Sequence, residues 1–249
     1  MKNNQSKSKN ILIIAHRGYR KLYGENTLFS ADKAFEYGSD GIEFDVQKCE
    51  DEFIIIHDEI INSNGKTTDI AQSSLRKLSK LRSGKESIPQ LKSFLKNIPS
   101  GKIINAELKA ETIRTFHFNE IEILLRARKE EIIVSSFEHN LLSDYKKSGY
   151  KTGCLLEHAH FRKGFFRLFI SLAIQRPYSV NMPLEFFYIV KGLKLKLAMF
   201  LFNLISDKII VWTVNNPKDF KHVSKYADMI ITDDVETGVK FKNEYSSTR

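Results

Sequence analysis

Short runs of Ile, Val and Phe return along almost the whole chain, with helix-patterned stretches between most of them, and this alternation limits the fold more than any other feature. Strands are expected at 11–16, 41–47, 54–58, 103–109, 132–137, 151–156, 179–182, 208–214 and 229–232. Apolar residues at helical spacing recur between them: Leu28, Ala31, Ala34 and Phe35 within Thr27–Tyr37, a second helix over Ile88–Leu95 with Pro89 at its start, and a third over Asn119–Arg128. Over 249 residues this predicts a parallel sheet, and an α/β TIM (β/α)8 barrel fits the length. Nine candidates for eight positions leave one outside the regular barrel. Residues 48–53 cannot hold a crossover helix, which takes about a dozen residues, so 41–58 is the irregular region, either a hairpin or a distorted segment. No repeat, low-complexity tract or Pro/Gly linker divides the chain, so a single domain over 1–249 is expected, with a polar, flexible tail at 1–10.

Composition excludes little else. With 42% hydrophobic and 28% charged residues the chain is neither disordered nor collagen-like. Its 39 Lys and Arg against 30 Asp and Glu give a net charge of +9, which favours anionic partners: phosphate esters, acidic lipid surfaces or nucleic acid. The basic residues scatter without a nucleic-acid motif, so no nucleic-acid partner is expected. Cys49 and Cys154 stand alone, as in a reduced, cytoplasmic protein. The apolar run Ile11–Ala15 falls short of the about 7–15 residues a secretory signal needs, and no stretch approaches the about 20 of a membrane span. Residues 184–205 read as one amphipathic helix, interrupted by Lys191, Lys194 and Lys196. Interleaved Phe and Lys over 161–202 leave a peripheral membrane contact open. Oligomeric state is not legible.

The two-residue period of strands carries the chemical information. In 41–47, Ile42, Phe44 and Val46 point one way and Glu43, Asp45 and Gln47 the other; in 103–109, Ile104, Ala106 and Leu108 oppose Asn105, Glu107 and Lys109. Barrel strands pack their outer face on apolar helices, so the polar sets face the axis. Uncompensated carboxylates there cost several kcal/mol each, and something cationic must hold them. Three carboxylates, Glu43, Asp45 and Glu107, suit a hard divalent cation, Mg²⁺, Mn²⁺ or Ca²⁺. An internal ion-pair network with Arg17 and Lys109 answers the same need.

Two histidines close predicted strands: His16 before Arg17-Gly18, and His57 before Asp58. Strand carboxyl ends carry the chemistry of such barrels, and a histidine there can transfer protons near neutral pH; each alone also reads as a rim residue. Arg17 offers a fork matched to phosphate oxygens. Glu25-Asn26-Thr27 supplies a helix cap or a substrate contact. His158 and His160 are expected in a loop, and His117, His139 and His222 without companions.

Taken in order, His16-Arg17-Gly18, Glu25-Asn26-Thr27, Gly41-Ile42-Glu43-Phe44-Asp45-Val46, His57-Asp58, Glu107-Leu108-Lys109, Ser136-Phe137, Trp212-Thr213-Val214-Asn215 and Ile231-Thr232-Asp233 resemble the glycerophosphodiester phosphodiesterase family. Each motif is modest alone; so many in order, across nearly the whole chain, are specific. The resemblance implies a TIM barrel that cleaves glycerophosphodiesters to glycerol 3-phosphate and an alcohol. It implies a divalent cation, Mg²⁺ or Ca²⁺, at Glu43, Asp45 and Glu107, an acid–base pair in His16 and His57, phosphate contacts from Arg17 and Lys109, and a pocket wall at Trp212. Gly24 stands where the family has Pro, Cys49 where it has Thr, and Ile60-Ile61-Asn62-Ser63-Asn64 where it has Leu-x-Arg-Thr-Thr. The short stretch between Asp58 and Ala106 leaves room for only a small insertion and an open site. Two further readings stand beside hydrolysis of a small-molecule glycerophosphodiester: a lysophospholipase D working on lysolipid at a bilayer, and a non-catalytic barrel that binds phosphate ligands by charge.

Overall fold

The computed structural model describes residues 10–247 apart from Asn64, Ser83 and Lys163; most of the tail expected at 1–10 thus lies outside the described residues. Eight parallel strands close into a barrel: β1 (Leu12–His16), β2 (Gly41–Lys48), β6 (Ile103–Leu108), β7 (Ile132–Ser136), β8 (Lys151–Leu155), β9 (Ser179–Pro183), β10 (Lys208–Trp212) and β11 (Met229–Thr232). Closure is made by β1 pairing with both β2 and β11. The three remaining strands, β3 (Phe53–Ile55), β4 (Ile60–Ser63) and β5 (Lys66–Asp69), sit between β2 and β6 in sequence. β3 runs antiparallel to the end of β2, so the irregularity at 41–58 is a hairpin. β4 and β5 form a second hairpin that the alternation of Ile60-Ile61-Asn62 did not announce. With its own small core of Cys49, Ile54, Ile56, Ile61, Ile70, Leu78 and Ile88, this segment is the small insertion expected.

Helices follow the barrel strands around the outside: α1 (Leu28–Glu36), α2 (Leu91–Asn97), α3 (Phe118–Leu125), α4 (Ser143–Lys147), α5 (Phe165–Gln175), α6 (Gly192–Ile205), α7 (Pro217–Val223) and α8 (Val235–Ser247). Thr27 caps α1, accepting a hydrogen bond from the Ser30 amide while the Thr27 amide donates to Ser30 Oγ. Pro89 does not open α2: its carbonyl accepts from Ile55, tying the insertion to the hairpin, and the helix begins two residues later. The single helix expected over 184–205 is two, Leu184–Ile189 and α6, because Lys191 is extended and Gly192 takes a φ of 59°.

Strand alternation sets two cores. Outward residues Ile42, Phe44, Val46, Ile104, Ala106 and Leu108 join the large core under the helices, where Phe44 meets Phe94 of α2 edge-on at 4.8 Å. Inside, Ile14, Ile133, Ile210, Met229 and Ile231 fill the barrel toward the amino ends of the strands. Above them register brings polar residues level: His16 beside Glu43, Glu43 beside Asn105, and Asp45 beside Glu107.

Candidate active site

The carboxyl ends of the strands enclose a cleft of about 140 Å³ lined by His16, Arg17, Glu43, His57, Glu107, Lys109 and Trp212, together with Asn105 and Phe137. Asp45 lies beneath this lining, fully buried. All the residues singled out from sequence thus meet in one place. None of the described residues between Asp58 and Ile104 contributes to the wall, in keeping with the open site expected.

The acidic centre is built from β2 and β6. Glu43, Asp45 and Glu107 each offer an oxygen, and these oxygens lie within 4.8 Å of one another. Arg17 Nε is 3.0 Å from Asp45 Oδ2; Lys109 Nζ is 3.1 Å from Glu107 Oε1 and 3.7 Å from Asp45 Oδ1. The ion-pair network considered from sequence therefore exists. It leaves three carboxylates against two cations. Burial, with Asp45 and Glu107 adding to it, pushes the Glu43 carboxyl well above its ordinary range, and burial beside Asp45 raises Glu107 to about 7. Burial opposes ionisation of Asp45 too, but Arg17 first and Lys109 second hold its pKa below the usual value. Asp45 Oδ1 has no hydrogen-bond partner among the described residues, and the same is true of both side-chain polar atoms of buried Asn105. An excess of negative charge, an unpartnered buried carboxylate oxygen and an all-oxygen donor set fit a hard divalent cation.

Local conformation aims Arg17 into this centre. Its backbone takes a φ of 56°, sparsely populated for a residue with a side chain, and its amide donates to the Glu43 carbonyl at 2.8 Å and to Glu43 Oε2 at 3.1 Å. Gly18 follows at φ 89°, where an added Cβ would lie 2.4 Å from Ser30 Oγ of α1, so the turn after β1 requires glycine. Of the two readings of Glu25-Asn26-Thr27 the cap holds, at Thr27, and the other two residues support the acidic centre. Thr27 caps; Asn26 Nδ2 donates to Asp45 Oδ2 at 2.8 Å; Glu25 pairs with Arg17 at 3.3 Å.

Each histidine has its own carboxylate. His16 Nδ1 lies 2.7 Å from Asp233 Oδ1, and its Nε2 is 3.9 Å from Glu43 Oε2. Burial raises Asp233, but its bond to His16 and then Asn215 outweigh that and depress it to about 2, so it is ionised and accepts from His16 Nδ1–H. Nε2 is left to face the cleft. From sequence Asp233 belongs only to the Ile231-Thr232-Asp233 match; its place directly after β11, at a strand carboxyl end, is the signal that gives it this role. His57 does not close a barrel strand, as its sequence position suggested. It follows β3 on the return arm of the hairpin, where Gln47 Nε2 donates to the carbonyls of Ile56, His57 and Asp58 at 3.2, 2.8 and 2.9 Å. Asp58 holds the ring through a 3.0 Å contact between its Oδ1 and His57 Nδ1. Trp212 donates its indole N–H to the Asn181 carbonyl and meets Phe137 edge-on at 5.7 Å, fixing that wall. Away from the centre, His158 and His160 occupy a short helix, His158–Arg162, and His160 stacks on His139 at 5.0 Å, a pairing sequence spacing does not reveal. Both cysteines are free and buried, and no described helix is long and apolar enough to cross a membrane.

Residues 16–150 match the model of the Glycerophosphoryl diester phosphodiesterase family. The chain is 30% identical over 258 aligned positions to the glycerophosphodiester phosphodiesterase of Caldanaerobacter subterraneus, covering 91% of this chain and 95% of the relative. Among solved structures it resembles the glycerophosphodiester phosphodiesterase of Thermotoga maritima, at 30% identity and a TM-score of 0.78 over 92% of this chain and 97% of that one. An Oleispira antarctica phosphodiesterase in complex with the product sn-glycerol-3-phosphate shares the fold at 20% identity, with a TM-score of 0.74 over 93% and 96% of the two chains. The non-catalytic phosphate-binding reading falls with these likenesses: the chain belongs to the glycerophosphoryl diester phosphodiesterase family and is an enzyme of that kind.

Proposed function

We propose that this chain, folded as one barrel domain, is a divalent-metal-dependent phosphodiesterase that hydrolyses glycerophosphodiesters to sn-glycerol 3-phosphate and an alcohol by histidine acid–base catalysis. The observation that carries this reading is the convergence of an overcharged acidic cluster, two cations and two carboxylate-held imidazoles on one cleft. Glu43, Asp45 and Glu107 would hold the cation, Mg²⁺, Ca²⁺ or Mn²⁺. Bound there, it would offset negative charge on the phosphoryl oxygens.

The protein's own groups do the rest. Arg17 and Lys109 present guanidinium and ammonium donors to the remaining phosphoryl oxygens and stabilise charge that builds on them in the transition state. One imidazole takes the proton of the attacking group, water or the glycerol 2-hydroxyl; the other gives a proton to the oxygen of the departing alcohol. Where the 2-hydroxyl attacks, water then opens the cyclic phosphate with the two imidazoles in exchanged roles to give the monoester. Asp233 and Asp58 bind the far ring nitrogen of His16 and His57 respectively, which fixes each ring and leaves Nε2 for the substrate. Trp212 and Phe137 form an apolar wall for the glycerol backbone.

The test is release of sn-glycerol 3-phosphate from glycerophosphocholine, glycerophosphoethanolamine and glycerophosphoglycerol, with each cation in turn and in excess chelator. Turnover restored by one cation and absent with chelator supports the reading, while full turnover in chelator removes the metal from it. Exposed apolar side chains on α5 and α6 favour the lysophospholipase D alternative, so lysophosphatidylcholine belongs in the same panel. Faster turnover of that lipid than of any water-soluble diester would make it the substrate.

A further inference from the structure

The outer helices do not all cover themselves in the same way. α5 buries Leu168 and Leu172, and α6 buries Leu195, Ala198, Met199 and Phe202. The two helices meet through Phe165 and Phe202, whose rings lie 5.7 Å apart. On their outer faces the side chains are again apolar. Phe166, Ile170 and Ile174 recur every four residues along α5, Phe166 at 76% and Ile174 at 79% exposure. Leu193, Leu197, Phe200 and Leu204 recur every three or four residues along α6, Leu193 at 82%. α6 has a core on one side only, yet its opposite face carries a second apolar stripe. Seven large side chains, all more than half exposed, put on the order of 800 Å² of apolar surface side by side, beyond the roughly 300–600 Å² that is the largest patch on an ordinary monomer.

Charge says what covers it. Residues 161–202 contain seven Lys and Arg and a single acidic residue, Glu185, so about a sixth of the chain carries two-thirds of its net +9. At about 100° per residue, Lys194 and Lys196 lie to either side of the Leu193–Leu204 stripe, and Arg167 flanks that of α5. This is the arrangement in which long basic side chains reach up to lipid phosphates while the stripe between them enters the acyl region. A second copy offering the same face would bring like charges together. Both helices follow the carboxyl ends of their strands, β8 and β9, so the stripes start at Phe166 and Leu193 on the catalytic rim and run down the flank.

We propose that the outer faces of α5 and α6 are a docking surface for an anionic lipid bilayer. The barrel then lies on its side against the lipid, with the mouth of the cleft at the membrane edge. The inference concerns a surface apart from the catalytic groups and stands whether or not the hydrolytic reading does.

Flotation of the full chain with phosphatidylcholine vesicles, and with vesicles of phosphatidylcholine mixed with phosphatidylglycerol, tests it. Binding to the mixed vesicles is expected to exceed binding to the neutral ones by about tenfold or more, and to weaken with salt. Leu193→Ser with Phe200→Ser, and separately Lys194→Glu with Lys196→Glu, should each lower it by about tenfold or more, with the thermal transition unchanged because all four side chains are exposed. No flotation with anionic vesicles, or equal flotation of both variants and the natural chain, overturns the proposal. So does a dimer in sedimentation equilibrium that Leu193→Ser with Phe200→Ser dissolves, since a second copy would then be the occupant.

Discussion

Two layers of the barrel interior, built by the same strands, have opposite chemistry. On β1, Ile14 lies two residues below His16, and on β10 Ile210 lies two residues below Trp212. The lower layer packs these with Ile133, Met229 and Ile231 in one apolar cluster, of which Ile231 reaches the cleft. The upper layer holds Glu43, Asp45 and Glu107 with Arg17 and Lys109. Apolar burial in the lower layer contributes stability wherever it occurs, whereas the upper layer spends burial on ions that a folded chain alone does not require. The largest separation of the two is expected from Glu43→Gln. It replaces the carboxyl that burial and its acidic neighbours most oppose ionising, leaving two carboxylates against two cations. Turnover should fall by about 10³-fold or more, while the melting temperature in chelator stays level or rises. A parallel drop in melting temperature would mean that the cluster is structural and the two layers differ less than their composition suggests.

Ile210→Ala is the reverse experiment. Ile210 is 1% exposed, and emptying its site should lower unfolding free energy by about 2–5 kcal/mol in urea titrations. Folded protein should keep its kcat within about twofold, because Ile210 does not itself line the cleft. A large kcat change would show that the lower layer sets the height of the upper one.

Asp233→Asn is next in size and falls on the boundary between structure and chemistry. The amide cannot hold His16 in the same tautomer with the same strength, so kcat should drop by roughly 10²-fold or more with KM little changed. Asp233 also has a pH signature. Its folded pKa of about 2 lies below the ordinary 3.8, so the stability it contributes is present above pH 4 and is lost as pH falls through about 2. Acid unfolding of the variant should therefore be flatter across that window. An unchanged acid limb would place the effect on ring orientation alone.

The two layers were also unequally legible. Strand order, the hairpin option at 41–58 and the inward direction of Glu43, Asp45 and Glu107 follow from a two-residue period, because that period is imposed by backbone geometry on every strand. What joins residues across the barrel has no period. Asn26 reaching Asp45, Asp233 reaching His16 and Gln47 holding the His57 loop span gaps of 19, 217 and 10 residues, and each depends on strand pairing to bring its ends together, the second on closure of the barrel by β1 and β11. The family resemblance supplied the identities of these residues, Gln47 apart, without their partners. The β4–β5 hairpin escaped because Ile60, Ile61 and Lys66–Asp69 carry no long alternation, and the break at Lys191-Gly192 because one glycine conformation decides it.

The smallest expected effect concerns how the upper layer answers pH. Glu107 is raised from 4.5 to about 7 by burial and by Asp45, so between those values the folded, metal-free protein carries a proton that the unfolded chain does not. Its contribution to stability is then whole below pH 4.5 and fades as pH rises through about 7, the reverse of Asp233. A divalent cation needs the ionised carboxylate and must displace that proton, so its hold on the cluster strengthens over the range in which the metal-free protein weakens. Melting temperatures read with and without Mg²⁺, Ca²⁺ or Mn²⁺ should show an increment of a few degrees at pH 8 that shrinks toward zero at pH 5. The increment should vanish at both pH values in Glu43→Gln and persist in Ile210→Ala. An increment independent of pH would put the cation elsewhere on the protein and leave the cluster balanced by Arg17 and Lys109 alone.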